Sequence, residues 1–168
     1  EAGGSSTFTV VLNSQPTDTV TVSITGNDAT ENSLSGSTLS GTNTLTFNAG
    51  NWNTAQTVTV TGVDDSIVDG DITTTLTATA NSAGGYSGES TTTTVKNTDD
   101  DTNGISIAQT GTTDGSGNLL TTEAGGSSTF TVVLNSQPTD TVTVSITGND
   151  ATENSLSGST LSGTNTLT

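Results

Sequence analysis

"STFTVVLNSQPTDTVTVSIT", from Ser6 to Thr25, decides the fold. Phe8, Val10 and Leu12 fall on every second position, and so do Val20, Val22 and Ile24. Successive side chains of a strand point to opposite faces, so each run presents one apolar face and one hydroxyl-rich face. Between them, "NSQPTD" (Asn13–Asp18) collects turn formers. The spacing therefore predicts two strands joined by a turn.

The same alternation continues along the chain. Leu45 and Phe47 predict a short strand, Val58 and Val60 another, and Leu76, Ala78 and Ala80 a third. Thr93 and Val95 follow, and Ile105 and Ile107 open the next series. "NAGNWN" (48–53) and "NSAGGYSGES" (81–90) are the turn-rich connections. No segment has a helical period. Short strands of this number and spacing predict an all-β fold, an antiparallel, immunoglobulin-like β-sandwich of about seven strands per repeat.

The repeat itself is exact in sequence. Residues Glu1–Thr46 recur unchanged as Glu123–Thr168, which sets a period of 122 residues. On this reading 1–103 is a sandwich lacking its first strand, and 104–168 is the N-terminal part of the next identical copy. The chain then reads as a window cut from a tandem array.

Composition narrows the function. Seventeen Asp and Glu face a single basic residue, Lys96, for a net charge of −16. Such a surface repels phosphates, which excludes nucleic acid as a partner. No stretch is apolar enough to insert into a bilayer. There is no His and no Cys, and the serines have no base partner, so no enzyme constellation is present.

The acids are not scattered. "GVDDSIVDGDI" (62–72) places Asp64, Asp65, Asp69 and Asp71 within eight residues. Antiparallel strands alternate direction, so parity assigns each loop to one end. Glu1, Asp28, Glu31, the acids of 64–71 and the run Asp99, Asp100, Asp101 all fall at the same end. Asp18 and Glu89 fall at the other. With Lys96 the one basic residue in the chain, no nearby cation is expected to neutralise this cluster. Crowded carboxylates raise one another's pKa, and a divalent cation relieves the repulsion. Ca²⁺ suits such a site because it takes several oxygen ligands in flexible geometry, whereas zinc would want His or Cys.

"EAGGSSTFTVVLNSQP", "NWNTAQTVTVTGVDDSIVDGD" and "NTDDDTNGISI" together resemble the Calx-beta module in the form found in very large bacterial surface proteins. The resemblance covers essentially the whole period. It implies Ca²⁺ held by Glu1, Asp28, Asp64 with Asp65, and Asp99 to Asp101, with Glu123 and Asp150 as second-copy equivalents. Asp69 and Asp71 lie in the same cluster and complete the candidate metal ligands.

Other motifs point elsewhere. "TDGSGNLLTTE" (113–123) spaces Asp114, Ser116 and Asn118 like a loose calcium loop, but lacks the glycine and the closing acid of an EF-hand and reads as a Gly-rich turn. Lys96 reads as a charge that discourages edge-to-edge pairing. Trp52 and Tyr86 sit in loops at the acid-poor end, where they plug the domain or stack on a sugar. The expected function is a structural extension module of a long secreted or cell-surface protein, an adhesin stalk, filament or surface layer. Neighbouring repeats of the same chain are its partners, along with like chains in a filament or layer. The alternative is a carbohydrate- or surface-binding module built around Trp52 and Tyr86.

Overall fold

The computed structural model describes residues 3–81, 83–162 and 165–168. It is all-β and antiparallel, with no helix among the described residues. The chain divides into two compact units: Glu1–Asp65 with Asp69–Asp100, and Ser66–Val68 with Asp101–Thr168.

The first unit holds seven strands: β1 (Ser5–Val10), β2 (Val20–Thr25), β3 (Asn32–Ser35), β4 (Thr44–Phe47), β5 (Gln56–Gly62), β6 (Ile72–Asn81) and β7 (Ser90–Asn97). One sheet has the order β1-β5-β3, the other β4-β2-β6-β7. The alternation seen in sequence becomes alternation in burial. Val20, Val22 and Ile24 of β2 are buried while Thr21 and Ser23 between them are partly exposed. Leu45 and Phe47 of β4, Val58 and Val60 of β5 and Leu76 of β6 complete the centre of one apolar cluster fed by both sheets. Each such side chain contributes roughly 1.5–3 kcal/mol when fully buried.

One strand escapes the sequence pattern. β3 carries the sequence NSLS, whose single apolar residue, Leu34, gives no period. It forms because β5 offers it an edge, pairing Asn32 with Gly62 through to Ser35 with Thr59. Beyond it the chain hugs β5 so closely that a Cβ on Gly36 would lie 2.6 Å from the Thr57 carbonyl oxygen.

The second unit contains β8 (Ile105–Gln109), β9 (Phe130–Leu134), β10 (Val144–Ser145) and β11 (Thr166–Leu167). β8 pairs with β9 and β10 with β11. Residues 127–168 repeat the sequence of 5–46, yet none of its described residues is buried. Val20 is wholly buried, whereas its copy Val142 is 40% exposed. The six residues of β2 shrink to the two of β10, and β3 has no counterpart.

What persists in both copies is local. Asp28 and Asp150 each fold the chain into the same turn, their carbonyls accepting from Asn32 N (2.7 Å) and Asn154 N (2.8 Å). Asn43 and Asn165 take the same left-handed conformation, at φ 54° and 55°. Turns are thus written in adjacent residues, while strands need a distant partner.

Gly26 and its copy Gly148 allow that difference to be measured. Both have positive φ, 91° and 86°. A Cβ on Gly26 would overlap the Thr75 carbonyl of β6, whereas one on Gly148 meets nothing within 4 Å. Gly26→Ala is expected to cost more than about 2 kcal/mol, and Gly148→Ala only the local strain of about 1 kcal/mol. Urea denaturation of the two variants checks this; equal midpoints would contradict it.

Candidate functional site: the acidic end of the first unit

Backbone and side-chain hydrogen bonds draw four segments of the first unit together. Gly62 N donates to Gly4 O (2.8 Å), which ties the start of β1 to the end of β5. Val63 N donates to Glu31 O (2.9 Å), which brings in the turn before β3. The exit of β7 joins through Asn97, whose Nδ2 donates to Val63 O (3.1 Å) and to Glu31 Oε2 (3.3 Å). Asp99 then closes onto the β5–β6 loop. Its N donates to Asp71 Oδ1 (3.1 Å), and its Oδ2 accepts from Gly70 N (2.7 Å).

Of the expected ligands, this end gathers Asp71 and Asp99 directly. Asp64 and Asp69 stand exposed in the same loop, and Asp65 is half-buried in it. Asp100 is exposed just beyond β7, and Asp101 falls within the second unit. Glu1 lies outside the described residues. Asp28 is committed to its own turn: its Oδ1 accepts from Thr30 N (3.0 Å) and Thr30 Oγ1 (2.6 Å). Those bonds, the hydroxyl's first, hold the Asp28 carboxyl below the usual carboxylate range. Asp150 repeats the arrangement with Thr152, at 2.9 and 2.6 Å. Glu123 is exposed in the second unit. Among the described residues no three acidic side chains are arranged as a metal cage.

The expectation that no cation offsets the cluster is corrected by Lys96. Its Nζ lies 2.5 Å from Asp71 Oδ2. Lys96 is far from Asp71 in sequence, but β6 and β7 pair with Thr73 opposite Lys96, so the sheet register delivers the ammonium to the loop. The bond to Lys96 is the main cause that holds Asp71 below the usual carboxylate range.

A buried polar layer beneath the acids was not visible in the sequence. Glu31, Asn32 and Asn97 are all buried. Asn32 Nδ2 donates to Thr74 Oγ1 (3.0 Å), while its Oδ1 is buried without a hydrogen-bond partner. The only signal was position: Asn97 ends the alternation of β7 immediately before the acidic run.

The opposite end is tied without acids. The Tyr86 hydroxyl donates to Ser14 O (2.6 Å) and accepts from Ser14 N (2.8 Å). Gln15 Nε2 donates to Ala49 O (3.3 Å), and Leu12 N to Trp52 O (3.1 Å). Trp52 and Tyr86 both pack against the apolar cluster. In the second unit, Asp114 spends its carboxylate on its own hairpin, accepting from Ser116 N, Asn118 N and Asn118 Nδ2, each at 2.8 Å. The 113–123 stretch is thereby a closed turn.

The Lys96–Asp71 pair makes a pH prediction. A carboxyl depressed in the folded state contributes stability above the unfolded pKa, near 3.9, and loses it as pH falls through the folded value. Lys96→Met is expected to move the Asp71 titration upward toward that reference, read by carboxyl-carbon NMR. An Asp71 midpoint unchanged in the variant would show that Lys96 does not govern it.

No protein-family model, curated protein or solved structure matches the chain.

Proposed function

We propose that the chain comprises parts of two consecutive copies of a Calx-beta-like, immunoglobulin-like β-sandwich, divided as 1–103 and 104–168. In this reading it serves as a structural extension module of a long secreted or cell-surface protein. The observation that carries the reading is the combination of the unchanged recurrence of 46 residues at a 122-residue spacing with four segments tied together at one acidic end. Two sheets feeding one apolar cluster support the sandwich. Trp52 and Tyr86 are engaged with the core and with Ser14, which favours a plug over the alternative glycan platform.

Ca²⁺ is the proposed cofactor. The donor chemistry fits: carboxylate oxygens predominate, with Asn32 Oδ1 a buried amide oxygen lacking a partner. The cage is not preformed, since Asp71 is held by Lys96, Asp99 by the Gly70 amide and Asp28 by Thr30. Binding therefore includes the cost of reordering the 63–71 loop, about 1–2 kcal/mol per residue fixed. That cost places the affinity among extracellular modules, about 10⁻⁴–10⁻³ M. Asp99 to Asp101 lie on the link between copies, so a cation held there stiffens the junction and turns a flexible string into a rod.

Thermal melting in chelator and in rising Ca²⁺ tests the metal. A hundredfold excess over the dissociation constant is expected to add roughly 2.7 kcal/mol, and Lys96→Met, by releasing Asp71, to tighten binding severalfold. Midpoints that ignore Ca²⁺ would remove the metal from the mechanism. On a protein of three complete repeats, small-angle scattering is expected to give a longer maximum dimension with Ca²⁺. Asp99→Asn, Asp100→Asn and Asp101→Asn together should erase that difference. A triple variant that stiffens like the parent would make the run a solvated spacer.

A further inference from the structure

Gly104 stands immediately before β8, at a place where the second unit leaves little room for a side chain. A Cβ there would lie 2.5 Å from Asn135 Nδ2. Asn135 is itself fixed at this point. Its N donates to Gly104 O (3.0 Å), and its Oδ1 accepts from Ser106 Oγ (2.6 Å). The residue before that glycine, Asn103, is exposed and belongs to no strand.

Asn103 and Gly104 form the sole Asn-Gly pair in the sequence. Glycine has no Cβ to screen its amide nitrogen or to restrict its backbone. That nitrogen can therefore reach the side-chain carbonyl carbon of the residue before it. Another residue of the same unit bears on this carbonyl: Ser136 Oγ donates to Asn103 Oδ1 (3.0 Å). A donor on that oxygen polarises the carbonyl and stabilises the negative charge it gains under attack.

We propose that Asn103 is a self-modification site, converted without an enzyme to aspartate and isoaspartate. Solvent hydroxide takes the Gly104 N–H proton, and the nitrogen attacks Asn103 Cγ to close a cyclic succinimide. The Cγ–Nδ2 bond breaks, and the departing nitrogen takes a proton from water and leaves as ammonia. Water then adds to one carbonyl of the ring. Opening at Cγ gives aspartate with the backbone unchanged. Opening at the main-chain carbonyl gives isoaspartate, in which the backbone runs through Cβ and Cγ. Either product exchanges a neutral amide for a carboxylate, and nothing is oxidised or reduced.

The Asp-Gly pairs of the chain are held away from this chemistry. Gly70 N, which follows Asp69, donates to Asp99 Oδ2 (2.7 Å). Asp114, which precedes Gly115, accepts from Ser116 N, Asn118 N and Asn118 Nδ2. Asn32 and Asn97 are buried, and Ser33 and Thr98 follow them. The new carboxylate extends the run Asp99–Asp101 toward β8 and adds to its repulsion. On the reading of 104–168 as the next copy, the change falls on the link between copies. The chemistry itself does not depend on that reading.

The full chain is aged in mildly alkaline buffer and mapped by peptide mass spectrometry. An isoaspartate-specific methyltransferase marks the rearranged product. Asn103 is expected to convert ahead of every other asparagine, and faster as pH rises, because the Gly104 nitrogen must lose its proton. Ser136→Ala is expected to slow the conversion severalfold in the folded chain. In urea the same variant and its parent are expected to convert at one rate, since the Ser136 contact needs the fold. Asn103→Gln removes the product at this position and controls for the mapping. An Asn103 that converts in urea but stays intact in the folded chain overturns the proposal. So does a folded Ser136→Ala chain that ages like its parent.

Discussion

Val22 against Ala80 and Ile24 against Ala78, the cross-strand pairs between β2 and β6, are the contacts on which the first unit depends. They join residues more than fifty positions apart, and they exist only because β5, β6 and β7 follow in the same unit. In the second unit the same residues have no such block beside them among the described residues; β2's counterpart is two residues long and its apolar face is open. Strand propensity did not change between the copies, so it cannot be what makes the strands. Burial of the inward face against the other sheet is, as expected where β preference reflects packing more than backbone bias.

The same dependence organises the acidic end. Its segments are held by backbone amides, by Asn97 and by the carboxylates of Asp71 and Asp99. Lys96 reaches Asp71 because β7 pairs with β6 in one register. A slip of one residue would turn Lys96 to the other face and bring Val95 or Asn97 opposite Thr73 in its place. Exposed ion pairs of this kind contribute little to stability. Their consequence here is selective: the lysine occupies one carboxylate of a cluster and leaves Asp64 and Asp69 outward. Asp99 meanwhile turns a link residue into a lid on the β5–β6 loop.

Much of the fold was legible. Alternation located β1, β2, β4, β5, β6 and β8, since each carries apolar residues at period two, and Thr93 with Val95 marked β7. β3 was not legible, because Asn32–Ser35 has one apolar residue and its existence is decided by the free edge of β5. At the site, the segments that meet were readable from strand parity alone, and Asp71 and Asp99 come together as that reading requires. Lys96's partner was not readable, because it depends on register, which alternation leaves undetermined by steps of two. Asp28 was readable as an acid in the right loop but not as a turn residue. The Asp-x-Thr spacing that locks it, repeated at Asp150 and Thr152, was the available signal.

The apolar cluster that seals the first unit is small. Among the described residues, eleven buried apolar side chains carry it, and two of those are alanines. A thin core leaves the ends of a domain to be fixed by other means, and the two ends here are fixed differently. At one, Tyr86 and Ser14, Gln15 and Ala49, and Trp52 and Leu12 bind three loops with neutral hydrogen bonds and aromatic packing. At the other, carboxylates bond to amides and one lysine above a buried layer of Glu31, Asn32 and Asn97. Neutral bonds hold regardless of ions, whereas a carboxylate-rich end changes its internal repulsion with ionic strength and cation supply. One end is therefore constant and the other adjustable, and the adjustable one is where β7 leaves the unit toward the next copy.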